Sequence, residues 1–378
     1  MAGALIAGYA RSPLTLASKG ALKRIRPDDL AAAVIKGLMN RTGIDPNTLE
    51  DLIVGCAFPE GEQGLNVARN IGFLADLPNS VAGTTVNRFC GSSMQAIHMA
   101  VGAIATGAGD AFLCAGIESM SRVPMAGFNP MLNPKLVDVG HAAYMGMGET
   151  AENLAKRYDI NRDKQDAFAV ESHKRAAEAQ QKGRFNDEIV PIETRDGIVD
   201  QDGCIRPETT TQILADLKPA FEENGSITAG TSSPLTDGSA AVLVTSEDYA
   251  NTHDLKPLAR IKSIAVAGCA PEIMGIGPVN STNKALGRAG LTLKDIDVIE
   301  LNEAFAAQSL AVSHDLDLDL NKTNIDGGAI ALGHPLGATG ARITGKAAQI
   351  MKREGKRYAL ATQCIGGGQG IATVLETM

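Results

Sequence analysis

The sequence predicts an α/β protein made of two similar halves with a segment of different character between them. Three observations carry this. First, a short pattern recurs at a constant offset. Arg41-Thr-Gly43-Ile-Asp leads through Leu49 to Leu52-Ile-Val54, and Arg288-Ala-Gly290-Leu-Thr leads through Ile296 to Val298-Ile299 and Leu301. Each copy reads as a helix end, a turn, a short helix and a strand. Second, each half has a strand-like run that enters a Gly-rich loop and then a helical pattern: residues 84–86 before Cys90, and residues 329–332 before His334 and Pro335. Residues 356–362 form a further strand-like run into Cys364 and Gly366-Gly367-Gly368. Third, residues 119–236 follow neither pattern, and they read as an insertion covering one face of the core. The predicted division is therefore 1–118 with about 237–254 as one half, 119–236 as the insertion, and 255–378 as the other half.

Taken in order, residues 4–7 look like a strand. Arg11, Lys19, Lys23, Arg24 and Arg26 precede the first acid, Asp28, a pattern also seen in organellar transit peptides. Pro13 and Gly20 break the amphipathic helix such a peptide needs, so a folded start is expected. Residues 89–109 carry no formal charge, yet Ser92, Ser93, Gln95 and His98 make them too polar for a membrane span. A buried helix is expected there. The insertion begins with a Met/Pro/Asn-rich loop at 124–134, continues as a charged helical stretch at 149–182, and becomes turn-rich through Asp196, Gly197 and Gly203.

Composition narrows the function. The chain has 378 residues, 44% of them hydrophobic, and 41 glycines, which is long enough for a large core. A net charge of −8 excludes a fold-wide positive field for nucleic acid, so an anionic ligand needs a local basic patch. The six cysteines show no CxxC spacing, which implies reduced thiols in an intracellular compartment.

Four places can carry chemistry. Cys90, in Asn87-Arg-Phe-Cys-Gly-Ser-Ser-Met-Gln, precedes a small-residue helix whose dipole favours thiolate; the plain alternative is a buried inert cysteine. His334 lies between glycines and before Pro335, which holds it out of helical conformation. It is either a base for Cys90 or a solvated surface histidine. Cys364 precedes three glycines, where a thiol can shuttle a proton at a carbon acid and backbone N–H groups can hold an oxyanion; it is otherwise a structural loop cysteine. Asn302 and Glu303 stand at the carboxyl end of a strand-like run, where open sheets bind ligands, although Asn302 also suits an ordinary N-cap.

Other patterns are decoys. Residues 340–346 fit GxxxxGK, but Ala347 replaces the Mg²⁺-binding hydroxyl and the segment reads as helix. Residues 146–151 match a dinucleotide pattern without a preceding strand. Asp315, Asp317 and Asp319 alternate like a calcium loop, but Leu320 takes the glycine position. No His/Cys/carboxylate set has metal-ligand spacing.

Together the four loops resemble the thiolases, over nearly the whole chain. Asn87 to Gln95, Asn302-Glu-Ala-Phe305, Gly327 to Arg342 and Cys364-Ile-Gly366 match the family's catalytic loops in order, and Arg11-Ser-Pro13 and Arg26 to Leu30 match its N-terminal segment. The resemblance implies two βαβαβαββ halves in a five-layer α-β-α-β-α core with an inserted loop domain. It implies Cys90 as the nucleophile and His334 as its activator, which also binds the thioester oxygen of the acetyl unit. Asn302 would hold a water in that oxyanion site, and Cys364 would protonate the departing acetyl-CoA carbanion. The N–H groups of Cys90 and Gly366 would form a second oxyanion site. Ser233 aligns with a serine that contacts pantetheine and Arg206 with an arginine near the adenine, and Met147 joins the substrate-binding set. CoA thioesters are then substrates, with no resident cofactor and no metal.

One departure bears on specificity. Biosynthetic acetoacetyl-CoA thiolases carry a His before Met-Gly, whereas here Gly146 precedes Met147-Gly148, and His141 is nearby but out of register. The expected function is therefore degradative cleavage of 3-oxoacyl-CoA by CoA, as in fatty-acid β-oxidation, with biosynthetic acetoacetyl-CoA formation as the alternative. An acyl-carrier condensing enzyme fits less well, since such enzymes pair one catalytic Cys with two His, and a non-catalytic CoA-binding scaffold is opposed by the intact Cys90, His334 and Cys364. The resemblance further implies a homodimer or homotetramer, a cytoplasmic location, and a hydratase/dehydrogenase subunit as a potential partner.

Overall fold

A computed structural model describes residues 3–140 and 142–378; His141 lies outside the described residues. The first half runs β1 (Ala4–Arg11), α1 (Pro27–Thr42), β2 (Asp51–Gly55), α2 (Val67–Leu74), β3 (Ala82–Val86), α3 (Ser92–Thr106) and β4 (Ala111–Ser119). After the insertion, which holds α4 (Met147–Arg157) and α5 (Arg162–Gln181), the half closes with β5 (Thr236–Ser246). The second half runs β6 (Ala259–Gly268), α6 (Gly277–Ala289), β7 (Val298–Leu301), α7 (Ala306–Leu316), α8 (Ala329–Leu332), α9 (Leu336–Arg353), β8 (Tyr358–Ile365) and β9 (Gln369–Glu376).

Local sequence explains many boundaries. Pro27 opens α1 with Asp28 and Asp29 in its first turn, where the dipole favours acids, and Gly43 ends it in the left-handed conformation at φ 67°. The strands pair in the order β7-β8-β9-β6-β1-β5-β4-β2-β3, a continuous path that crosses from one half to the other where β1 meets β6 through Leu5 and Ile6.

Alternation along the strands builds five layers. Leu52 and Val54 of β2 face α1 and α2, while Ile53 faces the middle of the molecule. Likewise Ile299 and Leu301 of β7 face α6 and α7, while Val298 faces inward. The middle layer is α3 and α9, whose Met94, Ile97, Ile343 and Ala347 are fully buried between the two sheet halves. These helices touch closely. A Cβ at Gly340 would lie 2.3 Å from the Met94 backbone nitrogen, so glycine is required there.

Two sequence expectations change. Residues 329–332 form the short helix α8, not a strand. A four-residue apolar run has no decisive period, and here its turn is closed by Gly333 N–H donating to Ala329 C=O at 2.9 Å while Ile330 N–H donates to Glu303 Oε2 at 3.2 Å. The strand that would match β3 shrinks to one bridge between Ile299 and Thr323. Cys364 is not on a free loop either. It lies inside β8, opposite Gly370 of β9, and is buried. The helix expected at residues 89–109 is α3, and 340–346 fall within α9. Among the described residues no helix is long and apolar enough to cross a membrane, and no group of three or more His, Cys, Asp or Glu is placed to hold a metal ion.

Candidate active site

Cys90 sits in a tight turn between β3 and α3. Phe89 is held at φ 42°, a left-handed conformation that a bulky side chain rarely adopts. The turn is stitched around it: Asn87 Oδ1 accepts from Phe89 N–H at 2.8 Å, and Phe89 C=O accepts from Ser92 Oγ at 2.6 Å. This turn presents the Cys90 sulfur to two backbone N–H groups, its own and that of Gly366. Burial pushes the thiol up to about 11, and these two donors oppose that rise by favouring thiolate. Gln363 anchors the same turn from β8, its Nε2 donating to Cys90 C=O.

Cys364 is the neighbouring thiol. Burial raises it well above the ordinary range, and the proximity of Cys90 raises it further. A negative charge on one sulfur therefore holds the proton on the other.

His334 approaches from the second half. Leu336, two residues on, packs with Cys90, Ala57 and Met120 in one small buried cluster. Thr339 Oγ1 lies 2.6 Å from His334 Nδ1 and 3.0 Å from Pro335 C=O. The single hydroxyl proton goes to that carbonyl, so the hydroxyl accepts Nδ1–H. Nε2 is then left with its lone pair, 3.3 Å from Asn302 Nδ2, which donates to it. Burial lowers the imidazole to about 3, and the like charge of Arg342 acts in the same direction. His334 is thus a neutral base with one tautomer fixed.

Asn302 is fully buried at the carboxyl end of β7, and its Oδ1 has no partner among the described residues. It is a buried acceptor that the described residues leave unsatisfied. Glu303 supports its loop, accepting from Ser172 Oγ at 2.6 Å, Asn324 Nδ2 at 2.8 Å and the Ile330 N–H. Ser233, half-buried, donates from Oγ to Ala304 C=O at 3.1 Å, so it adjoins the Asn302 loop. Met147, the first residue of α4, lines Gly366 together with Phe89. Arg206 differs, being exposed, with its backbone N–H donating to His173 Nδ1 at 3.1 Å.

The structure thus groups Cys90, Cys364, Gly366 and Met147, and pairs His334 with Asn302; the two groups meet where Leu336 packs on Cys90, Ser233 adjoins the Asn302 loop, and Arg206 lies at the surface. Sequence reasoning missed Thr339, Gln363 and the strained Phe89. Thr339 lies one helical turn after Pro335, which is the signal that could have identified it.

A buried cysteine under two convergent N–H groups, a second thiol and a neutral imidazole, on a duplicated five-layer core, define an acyl-transfer site of the thiolase type. The chain belongs to the thiolase family: residues 4–248 match its "Thiolase, N-terminal domain" and residues 255–377 its "Thiolase, C-terminal domain". Among its relatives, proteins named 3-ketoacyl-CoA thiolase are 47% identical in Bacillus subtilis, over 100% of both chains, and 50% identical in Marinobacter nauticus, over 97% of this chain and 96% of that one. The crystal structure of human mitochondrial 3-ketoacyl-CoA thiolase in complex with CoA superposes with a TM-score of 0.93 at 39% identity, covering 100% of this chain and 98% of that one.

Proposed function

We propose that this protein cleaves 3-oxoacyl-CoA with CoA, giving acetyl-CoA and an acyl-CoA shortened by two carbons, through an acyl-enzyme on Cys90. The observation that carries the reading is the sulfur of Cys90 beneath the N–H groups of Cys90 and Gly366, with Cys364 in electrostatic contact. Cys90 attacks the 3-oxo carbon while His334 Nε2 takes its proton. The oxygen that gains charge lies on the two backbone N–H groups, which are fixed before reaction and need no reorganisation. The C2–C3 bond then breaks, and Cys364 donates its proton to the departing carbanion of acetyl-CoA. Asn302 and His334 hold the thioester oxygen of that acetyl unit, Asn302 through a water. CoA next attacks the Cys90 thioester, its thiol proton passing to the Cys364 thiolate; the bond from the acyl carbon to the Cys90 sulfur breaks, and the freed thiolate takes its proton back from His334.

In this scheme no resident cofactor or metal is required, because CoA and acyl-CoA are both substrates. Ser233 and Met147 line the pantetheine path, Arg206 meets the adenine end, and the segment 119–236 covers the site. We assign the degradative direction, of the fatty-acid β-oxidation type, because Gly146 stands where biosynthetic relatives carry a histidine. The relatives named above support that direction. A homodimer or homotetramer is supported by the open edge of β3 and by exposed Leu65, Phe73 and Met99. The free cysteines support a reducing, cytoplasmic setting. A hydratase/dehydrogenase subunit, which makes 3-oxoacyl-CoA, is the fitting partner.

The test is a substrate panel in the cleavage direction, following loss of the enolate absorbance of 3-oxoacyl-CoA from four carbons upward, with mass spectrometry of Cys90. Turnover of longer chains and an acyl adduct on Cys90 are expected. Activity confined to the four-carbon substrate would select the biosynthetic reading, and absence of an adduct would remove the acyl-enzyme.

A further inference from the structure

Glu118 is the next-to-last residue of β4 and is 1% exposed. Among the described residues it has no cationic partner; N–H donors surround it instead. Oε2 accepts from Ala57 N–H at 2.8 Å and from Gly337 N–H at 2.9 Å. Oε1 accepts from Gln63 Nε2 at 2.8 Å and from Phe58 N–H at 3.3 Å. Gln63 Oε1 in turn accepts from Ser119 N–H at 2.7 Å, which closes a ring around the carboxylate.

Two of these bonds lead to the reacting groups. Ala57 C=O accepts from Asn87 Nδ2 at 3.0 Å, and Asn87 Oδ1 accepts from Phe89 N–H. A short chain of bonds therefore joins Glu118 to the residue before Cys90. Gly337 is the second residue of α9 and the third after His334. A Cβ on it would lie 2.5 Å from Ile117 C=O and 2.8 Å from Gly55 C=O. Only glycine lets the helix end sit this close, and that closeness brings its N–H onto the carboxylate. The positive end of the α9 dipole favours an anion in the same place.

We propose that Glu118 is a positioning residue: one buried carboxylate bolts the Cys90 turn of the first half to the His334 end of α9 from the second, and so sets the distance between nucleophile and base. An acceptor-only group is needed because every neighbour within bonding distance donates. An amide would turn its NH₂ toward those donors. Because misplacement of about 1 Å can cost a hundredfold in rate, the role is kinetic as well as structural.

The proposal rests on the acyl-enzyme reading above. The test is Glu118→Gln in the full-length enzyme, with fold checked by near-UV circular dichroism. The expected result is a loss of kcat on the order of tenfold to a hundredfold, with KM for both substrates within about threefold, since the substrate contacts remain. In a His334→Ala background the same change should add nothing to the slowed acylation of Cys90, because Glu118 acts through the base. If Glu118→Gln does not fold, Asn87→Ala cuts the same chain nearer Cys90 and should show the same split and the same lack of additivity. A kcat within twofold of wild type, a loss confined to KM, or a full additional loss in the His334→Ala background overturns the proposal. Wild type and His334→Ala run alongside: no turnover by wild type, or none lost in His334→Ala, counts against the acyl-enzyme reading itself rather than against the bolt.

Discussion

Helix α9 carries two buried polar regions that treat charge in opposite ways. Its first turn, around His334 and Thr339, holds no ion pair. Half-way along, Lys346 is 3% exposed and bridges Glu188 at 3.1 Å and Asp326 at 2.9 Å. Asp326 also meets Arg353 and Arg184, Glu188 meets Arg11, and Arg11 reaches Asp202. Phe185 lies beneath both Lys346 and Arg11. Lys346, Glu188, Asp326 and Arg11 are as deeply buried as His334 and Cys90, so the difference is pairing. Where opposite charges meet with good geometry they stay ionised, and the cations hold the Asp326 carboxyl far below the usual range. Where a titratable group is buried with neither a counter-charge nor the ring of N–H donors that surrounds Glu118, it is driven neutral: His334 falls to about 3 and Cys90 rises to about 11. The ionic region locks the insertion onto the core, and the neutral region keeps groups that can exchange protons.

Neutralisation by burial does not by itself mark a reacting group. His98 also falls to about 3, yet it bonds Thr373 at 2.9 Å within the core. What separates His334 is a fixed tautomer with Nε2 facing a site.

This contrast can be broken experimentally. The largest effect belongs to Cys90→Ala, which should cut turnover of a medium-chain 3-oxoacyl-CoA by about four orders of magnitude or more, in a steady-state assay. Cys364→Ala should still acylate Cys90 from an acyl-CoA while the C–C step fails; normal overall turnover would exclude its proton-transfer role. In the ionic region, Asp326→Ala leaves Lys346 and Arg353 short of a partner and should destabilise the protein by about 3–5 kcal/mol at pH 7, read by urea unfolding. Because the Asp326 carboxyl is depressed, its stabilisation is present above its unfolded value, about 3.9, and is lost as pH falls through the lower folded value. The gap between wild type and variant should therefore narrow below about pH 4. Thr339→Val frees the tautomer of His334, and kcat should fall by about tenfold, with little change in KM.

The smallest effect lies between the two regions. Glu300 is fully buried, and burial raises it to about 8 against the opposing pull of Arg342 and Lys346. The folded protein then holds a proton that the unfolded chain has released above about pH 4.3, so stability falls as pH rises toward 8. The slope is about 1.4 kcal/mol per pH unit, and Glu300→Gln should remove that decline between pH 6 and pH 7. An unchanged slope would show that Glu300 is ionised and belongs with the paired charges.

Much of this was legible in the sequence, because its signals are local. Arg41-Thr-Gly43 marks a helix end, the apolar run Leu52-Ile53-Val54 marks a strand, and the loops around Cys90, Asn302, His334 and Cys364 declare themselves by residue type and neighbouring glycines. The repeat between residues 41–54 and 288–301 announced two halves, since the same local pattern builds the same supersecondary unit. Only the tertiary structure decided what depends on approach from a distance: that residues 329–332 coil against Glu303, that Cys364 is locked in a strand, that Gln363 anchors the Cys90 turn, and that Glu118 spans from one half to the other. Hydrogen bonds between separate segments leave no period in either one, so folding alone reveals them.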